Sequence, residues 1–106
     1  AAMALVERGQ PFDAVFAASD LIAIGAIRAL AEKGLRVPED VVVVGFDDIP
    51  TARFTNPSLT TVVQDTARAG ALLVETLLKL VKGETAESVT LPAQLVVRRS
   101  SGAAAG

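Results

Sequence analysis

The 106-residue sequence has no histidine, no cysteine, no tryptophan and no tyrosine, and four phenylalanines are its whole aromatic content. Each absence removes chemistry. Without imidazole or thiolate there is no His- or Cys-ligated metal site, no His-based triad, no thiol nucleophile and no disulfide. Twelve acidic residues face ten basic ones for a net charge of −2, with no basic stripe, so nothing here forms an electrostatic footprint for nucleic acid. Asp20, Arg28 and Glu32 interrupt the longest apolar stretches, and none reaches the roughly twenty residues of a membrane span. No charged region followed by an apolar one marks a signal peptide at the amino end. A chain this short makes at most one small domain with a limited core. There is no internal repeat. The only low-complexity stretch, SGAAAG at 101–106, reads as a structureless tail.

What is present is strongly apolar, with 51% hydrophobic residues and a mean hydropathy of +0.47. AAMALVERG opens the chain as an apolar helix pattern without a capping residue, which reads as the tail of a longer helix and leads us to expect a fragment. After Pro11 comes the strand Ala14 to Ala18, then a helix opened by Ser19-Asp20 and closed near Lys33 by Gly34 as a left-handed cap. VPED makes a turn into the strand VVVVGF (41–46), a continuous apolar run of the kind covered on both faces in a parallel sheet. Residues 50–58 form a loop with room for one helical turn. LTTVVQ is a third, β-branched strand. Asp65 or Thr66 caps a helix to about Lys82, with Glu75 and Lys79 paired four apart. SVTLPAQLVVRR is a last extended segment, interrupted at Pro92. Strands alternating with helices at these lengths predict an α/β fold with a parallel sheet, flanking helices and right-handed crossovers.

The two long helices differ. The later one carries an apolar face of Leu72, Leu73, Leu77, Leu80 and Val81 opposite Arg68, Glu75, Lys79 and Lys82, an ordinary amphipathic pattern. LIAIGAIRALAEK, by contrast, is apolar nearly all the way round. One side can cover the sheet, and the other needs a second lobe or subunit. Exposed apolar surface of that kind favours association, and either cover remains open on the pattern alone.

The adjacent acids Asp47 and Asp48 stand just past a strand's carboxyl end, where open α/β sheets place their ligands. Neighbouring side chains on a strand or turn point apart, so the two are poorly placed to share a proton or chelate one ion. Phosphoryl-transfer chemistry would need a spaced acid pair, or a further acceptor acid and a strand-borne Lys. Here Lys33, Lys79 and Lys82 lie on helices or their ends. No catalytic residue, metal ligand or cofactor site emerges. One of the two acids could cap the following turn on backbone amides; Ser19 or Asp20 serves as a standard helix N-cap.

The ordered set SDxxAxG, VPEDxxVxGFDD, PxLTTVxQ and LxxRxS resembles the carboxyl-terminal part of bacterial repressors of the lactose and galactose repressor family, from Phe12 to Ser100. The resemblance implies a cytoplasmic transcriptional regulator rather than an enzyme. Such proteins join an amino-terminal helix-turn-helix to a two-lobed effector domain like a periplasmic sugar-binding protein. Residues 1–100 would then form a partial effector domain: most of the carboxyl-terminal lobe, the crossing strand LTTVVQ, and a helix from Ala67 belonging to the first lobe. Operator DNA would be bound only through that amino-terminal domain, expected outside this stretch of sequence, and the family's use of its carboxyl-terminal lobe for dimer contact implies a homodimer with Ala23, Ile24 and Ile27 at or near it. The resemblance assigns Asp47 to effector hydroxyls, with a carboxylate able to accept two hydrogen bonds, the effector being a small molecule such as a sugar, a related polyol or a nucleobase. Ser19 would face the same ligand, Asp20 is expected in the effector site with it, and Thr66 aligns near a pocket-lining position that often holds a larger apolar group. The alternative is the same lobe from a periplasmic sugar-binding protein of a transporter.

Overall fold

Strands β1 (Ala14–Phe16) and β2 (Val42–Val44) pair in parallel with Val15 opposite Val43. On the other edge of β2, Val44 makes a parallel bridge with Thr60, which leads into β3 (Thr61–Gln64). The architecture in this computed structural model, which describes residues 2–103, is thus the expected parallel α/β arrangement. The chain divides into two compact units, Ala1–Val63 with Leu95–Gly106 and Gln64–Gln94.

In the first unit, α1 (Ala2–Glu7) packs on α2 (Asp20–Glu32). Ser19 caps α2 by accepting the Ile22 amide at 3.2 Å, and Gly34, at φ 77, turns the chain out of it. Ala23, Ala26 and Leu30 form the buried stripe of α2, and the core closes over Val41, Val43, Ala52 and Leu59. Ala23, which we expected at a subunit contact, is therefore a core residue. Ile24 and Ile27 are half-buried against the same core. The water-facing apolar residues are instead Leu21 and Ile22, 72% and 53% exposed. The apolar run 41–46 also departs from its expected burial. Successive side chains alternate between faces, and while Val41 and Val43 are buried, Val42 and Val44 are only half-covered.

The VPED turn is closed by Asp40, which accepts the Arg36 amide at 2.8 Å and two guanidinium nitrogens at 2.9 and 3.0 Å. This charge-assisted fork lowers the Asp40 pKa from 3.8 to about 2, chiefly through the side-chain hydrogen bond from Arg36. The loop after β2 contains a short 3-10 turn, Pro50–Phe54, as its length allowed. Ser101, expected in a structureless tail, belongs instead to a 3-10 turn (Arg99–Ser101) closed by Gly102 at φ 107. The reason lies in its neighbour: the Ser100 hydroxyl donates to Val43 O at 2.6 Å and accepts the Thr60 amide at 2.8 Å. Residues 104–106 of that expected tail lie outside the described residues.

The second unit holds α3 (Thr66–Val81), capped by Asp65, which accepts the Arg68 amide at 3.0 Å. Glu75 and Lys79 pair at 4.0 Å as expected. None of residues 64–94, all of them described, is buried, and Leu73, Leu77, Leu80 and Val81 stand in water. Strand β4 (Ala93–Val96) pairs with β3 in a second, two-stranded sheet as the chain passes between its units.

Candidate functional site

Three chain segments meet beyond the carboxyl ends of the first unit's strands. The Asp20 amide donates to Phe46 O at 3.0 Å, joining the start of α2 to the end of β2. The Gly45 amide donates to Thr60 O at 2.9 Å and that of Asp47 to Val62 O at 2.8 Å, joining the end of β2 to β3. Between these ties the backbone takes an uncommon path: Asp47 sits at φ 110 and Asp48 at φ 52. Aspartate tolerates positive φ better than most residues, yet each such position costs about 1–3 kcal/mol and persists only where its surroundings impose it.

The surroundings here are specific. The Ile49 amide donates to Asp20 Oδ2 at 2.8 Å, and the Thr61 hydroxyl donates to Asp20 Oδ1 at 2.6 Å. Thr61 Oγ1 also accepts the Asp48 amide at 3.2 Å. Asp48 Oδ1 lies 2.9 Å from Arg98 Nη1. That contact is a charge pair without hydrogen-bond geometry, since Asp48 Oδ1 has no hydrogen-bond partner and Nη1 donates to Leu59 O at 2.9 Å.

The four residues singled out from the sequence therefore separate. Asp47 is exposed, and among the described residues its carboxylate has no hydrogen-bond or ion-pair partner. It is free to accept from a ligand. Ser19 is half-buried at the same strand ends; its oxygen caps α2 while its proton remains available. Asp20 is 0% exposed with both carboxylate oxygens engaged, so it presents nothing to a ligand in this conformation. It is not the helix cap either, because Ser19 fills that role and frees the Asp20 side chain to turn inward. Thr66 is exposed as the first residue of α3 and belongs to the second unit.

Neither Asp47 nor Asp48 caps the following turn. The carboxylate that takes the Ile49 amide comes from Asp20, twenty-nine residues earlier. Thr61 and Arg98 were part of the motifs PxLTTVxQ and LxxRxS, but no local spacing reveals their partners. The paired threonines of a β-branched strand and an Arg pair directly after two valines are the available signals. Among the described residues, no group of three or more acids gathers as metal ligands, and no helix is long and apolar enough to cross a membrane.

A parallel sheet with its free carboxylate on a pinned turn beyond the strand ends has the architecture of a periplasmic-binding-protein-like lobe. Comparison with known proteins agrees: residues 1–101 match the model of the periplasmic binding protein-like domain. The chain belongs to that family. It is 49% identical over 109 residues to the HTH-type transcriptional regulator MalR of Streptomyces coelicolor, covering 100% of this chain and 31% of that protein. It is 43% identical over 89 residues to the HTH-type transcriptional repressor PurR of Histophilus somni, covering 82% and 27%. Among solved structures, a lac repressor dimer bound to operator and the anti-inducer ONPF superposes with a TM-score of 0.86 at 38% identity, over 96% of this chain and 31% of that one. The transcriptional regulator CelR–cellobiose complex gives 0.82 at 43% identity, over 93% and 32%. The chain thus spans about a third or less of these relatives.

Proposed function

We propose that this chain is the effector-sensing and dimerising portion of a transcriptional repressor, the carboxyl-terminal lobe with its crossing strands, and that its ligand is a sugar or related polyol. The observation that carries the reading is the unpartnered Asp47 carboxylate on a turn whose three successive amides are held within the protein. A carboxylate so placed accepts hydrogen bonds from vicinal hydroxyls, and Ser19, at the start of α2, has a hydroxyl proton to donate. The relatives support it: they are transcriptional regulators, and one was solved with cellobiose. In this reading the protein binds and does not catalyse, works in the cytoplasm, and meets operator DNA through a separate helix-turn-helix. Nothing observed favours the transport alternative.

Self-association completes the proposal. Leu21 and Ile22, adjacent at the start of α2, and Phe54, 80% exposed, leave large apolar side chains in water, and we take them as the surface for association. The test of the ligand site is calorimetry on the longer protein that carries this chain, titrated with cellobiose, lactose, ribose and a purine base. Asp47→Asn should weaken binding of the recognised ligand by roughly 1.5–3 kcal/mol, the range for a hydrogen bond to a charged group. Unchanged affinity would remove Asp47 from the site.

A further inference from the structure

Three consecutive backbone amides in the loop after β2 are held by three different acceptors. Asp47 N is held by Val62 O at 2.8 Å, Asp48 N by Thr61 Oγ1 at 3.2 Å, and Ile49 N by Asp20 Oδ2 at 2.8 Å. The last two acceptors are themselves joined, because Thr61 donates to Asp20 Oδ1 at 2.6 Å. We infer that Asp20 and Thr61 form a positioning pair that holds the Asp47–Asp48 turn in its positive-φ conformation, and so presents the Asp47 carboxylate without touching the ligand. The inference rests on the reading of Asp47 given above and adds two positioning residues to it.

Several features point the same way. The helix does not need the Asp20 carboxylate, since Ser19 already caps it. Burying an ionisable group is costly unless every polar atom finds a partner, and Asp20 is 0% exposed with both oxygens bonded. Thr61 is also 0% exposed, so no solvent competes and the low local dielectric strengthens both bonds. Room for the pair is provided by Gly45. A Cβ there would overlap Asp20 Oδ1 and come within 3.1 Å of Leu59 Cδ2 and 3.2 Å of Asp20 Cα. With the pair broken, nothing fixes the Asp48 and Ile49 amides, and two successive aspartates relax toward ordinary negative φ.

The deciding experiment is amide hydrogen exchange on this chain with Thr61→Val, which keeps the side-chain shape and removes the hydroxyl, and with Thr61→Ser, which restores it. Thr61→Val should speed exchange at Asp48 and Ile49 by about tenfold or more while the Leu30 and Val43 amides keep their rates, a local release rather than global unfolding. The HN–Hα couplings of Asp47 and Asp48, which report φ, should change with it, and Thr61→Ser should return both readouts toward the parent. Unchanged exchange at Asp48 and Ile49 would overturn the inference, as would an equal acceleration of the core amides, which would mark Thr61 as general structure. Asp47→Asn leaves all three amide bonds intact and should not alter exchange. Its effect on cellobiose binding by the longer protein therefore reports on the ligand reading separately.

Discussion

Replacing Asp20 with alanine should damage this protein far more than removing a helix cap does. The substitution strips acceptors from the Ile49 amide and the Thr61 hydroxyl together. A buried donor left without a partner costs about 1–3 kcal/mol. Thr61 is fully buried and bears the upper part of that range, whereas half-buried Ile49 can recruit some water. The sum is about 3–5 kcal/mol, with release of the positive-φ turn offsetting a little of it. Domains of ordinary size are stable by about 5–15 kcal/mol, and small ones sit at the low end, so Asp20→Ala should consume most of the margin. Ser19→Ala, which removes the true cap, should cost about 1 kcal/mol. Urea unfolding of both variants is the assay, followed by far-UV circular dichroism because the chain has neither Trp nor Tyr. Equal m-values would confirm that stability alone has changed. The reasoning fails if the two alanine variants lie within about 1 kcal/mol of each other, since the Asp20 bonds would then contribute no more than a cap.

Gly45→Ala should destabilise by about 1–3 kcal/mol through overpacking against Asp20 and Leu59, visible as a lower melting temperature; an unchanged one would mean the Asp20 side chain has room to move. Asp40 should titrate near 2 by NMR, below its ordinary 3.8, and Arg36→Gln should raise the midpoint. Because the folded value is the depressed one, the contribution is full above the ordinary value and is lost as pH falls through the folded one. In light scattering at several concentrations the apparent mass should rise above 10.9 kDa. Leu21→Glu or Ile22→Glu should lower it, whereas Ile24→Glu should unfold the chain because that side chain packs on its own core. A constant monomer mass would end the association proposal.

The elements were legible because their signals are local. A Val run, a Ser-Asp helix start, and Gly34 and Gly83 after apolar periodicities each specify structure within a few residues. Asp47 was legible for a related reason, since its place just past a strand end follows from the strand itself. The framework behind it was not. Which of Ser19 and Asp20 caps the helix depends on which side chain finds something inside, and that partner, Thr61, lies forty-one residues away. Arg98 meets Asp48 across a still longer separation. Ala23 was misplaced because a helix apolar on every side has no periodicity to show which face meets the sheet.

The helix α3 has caps and good helix-forming residues but no buried side chain. A lone helix of sixteen residues is marginal in water, because propensity barely repays the ordering of its backbone. Any surface that covered its leucines would therefore couple covering and folding in a single equilibrium. A surface that binds only the helical form adds its own binding free energy to the helix, in proportion to the logarithm of its concentration over its dissociation constant.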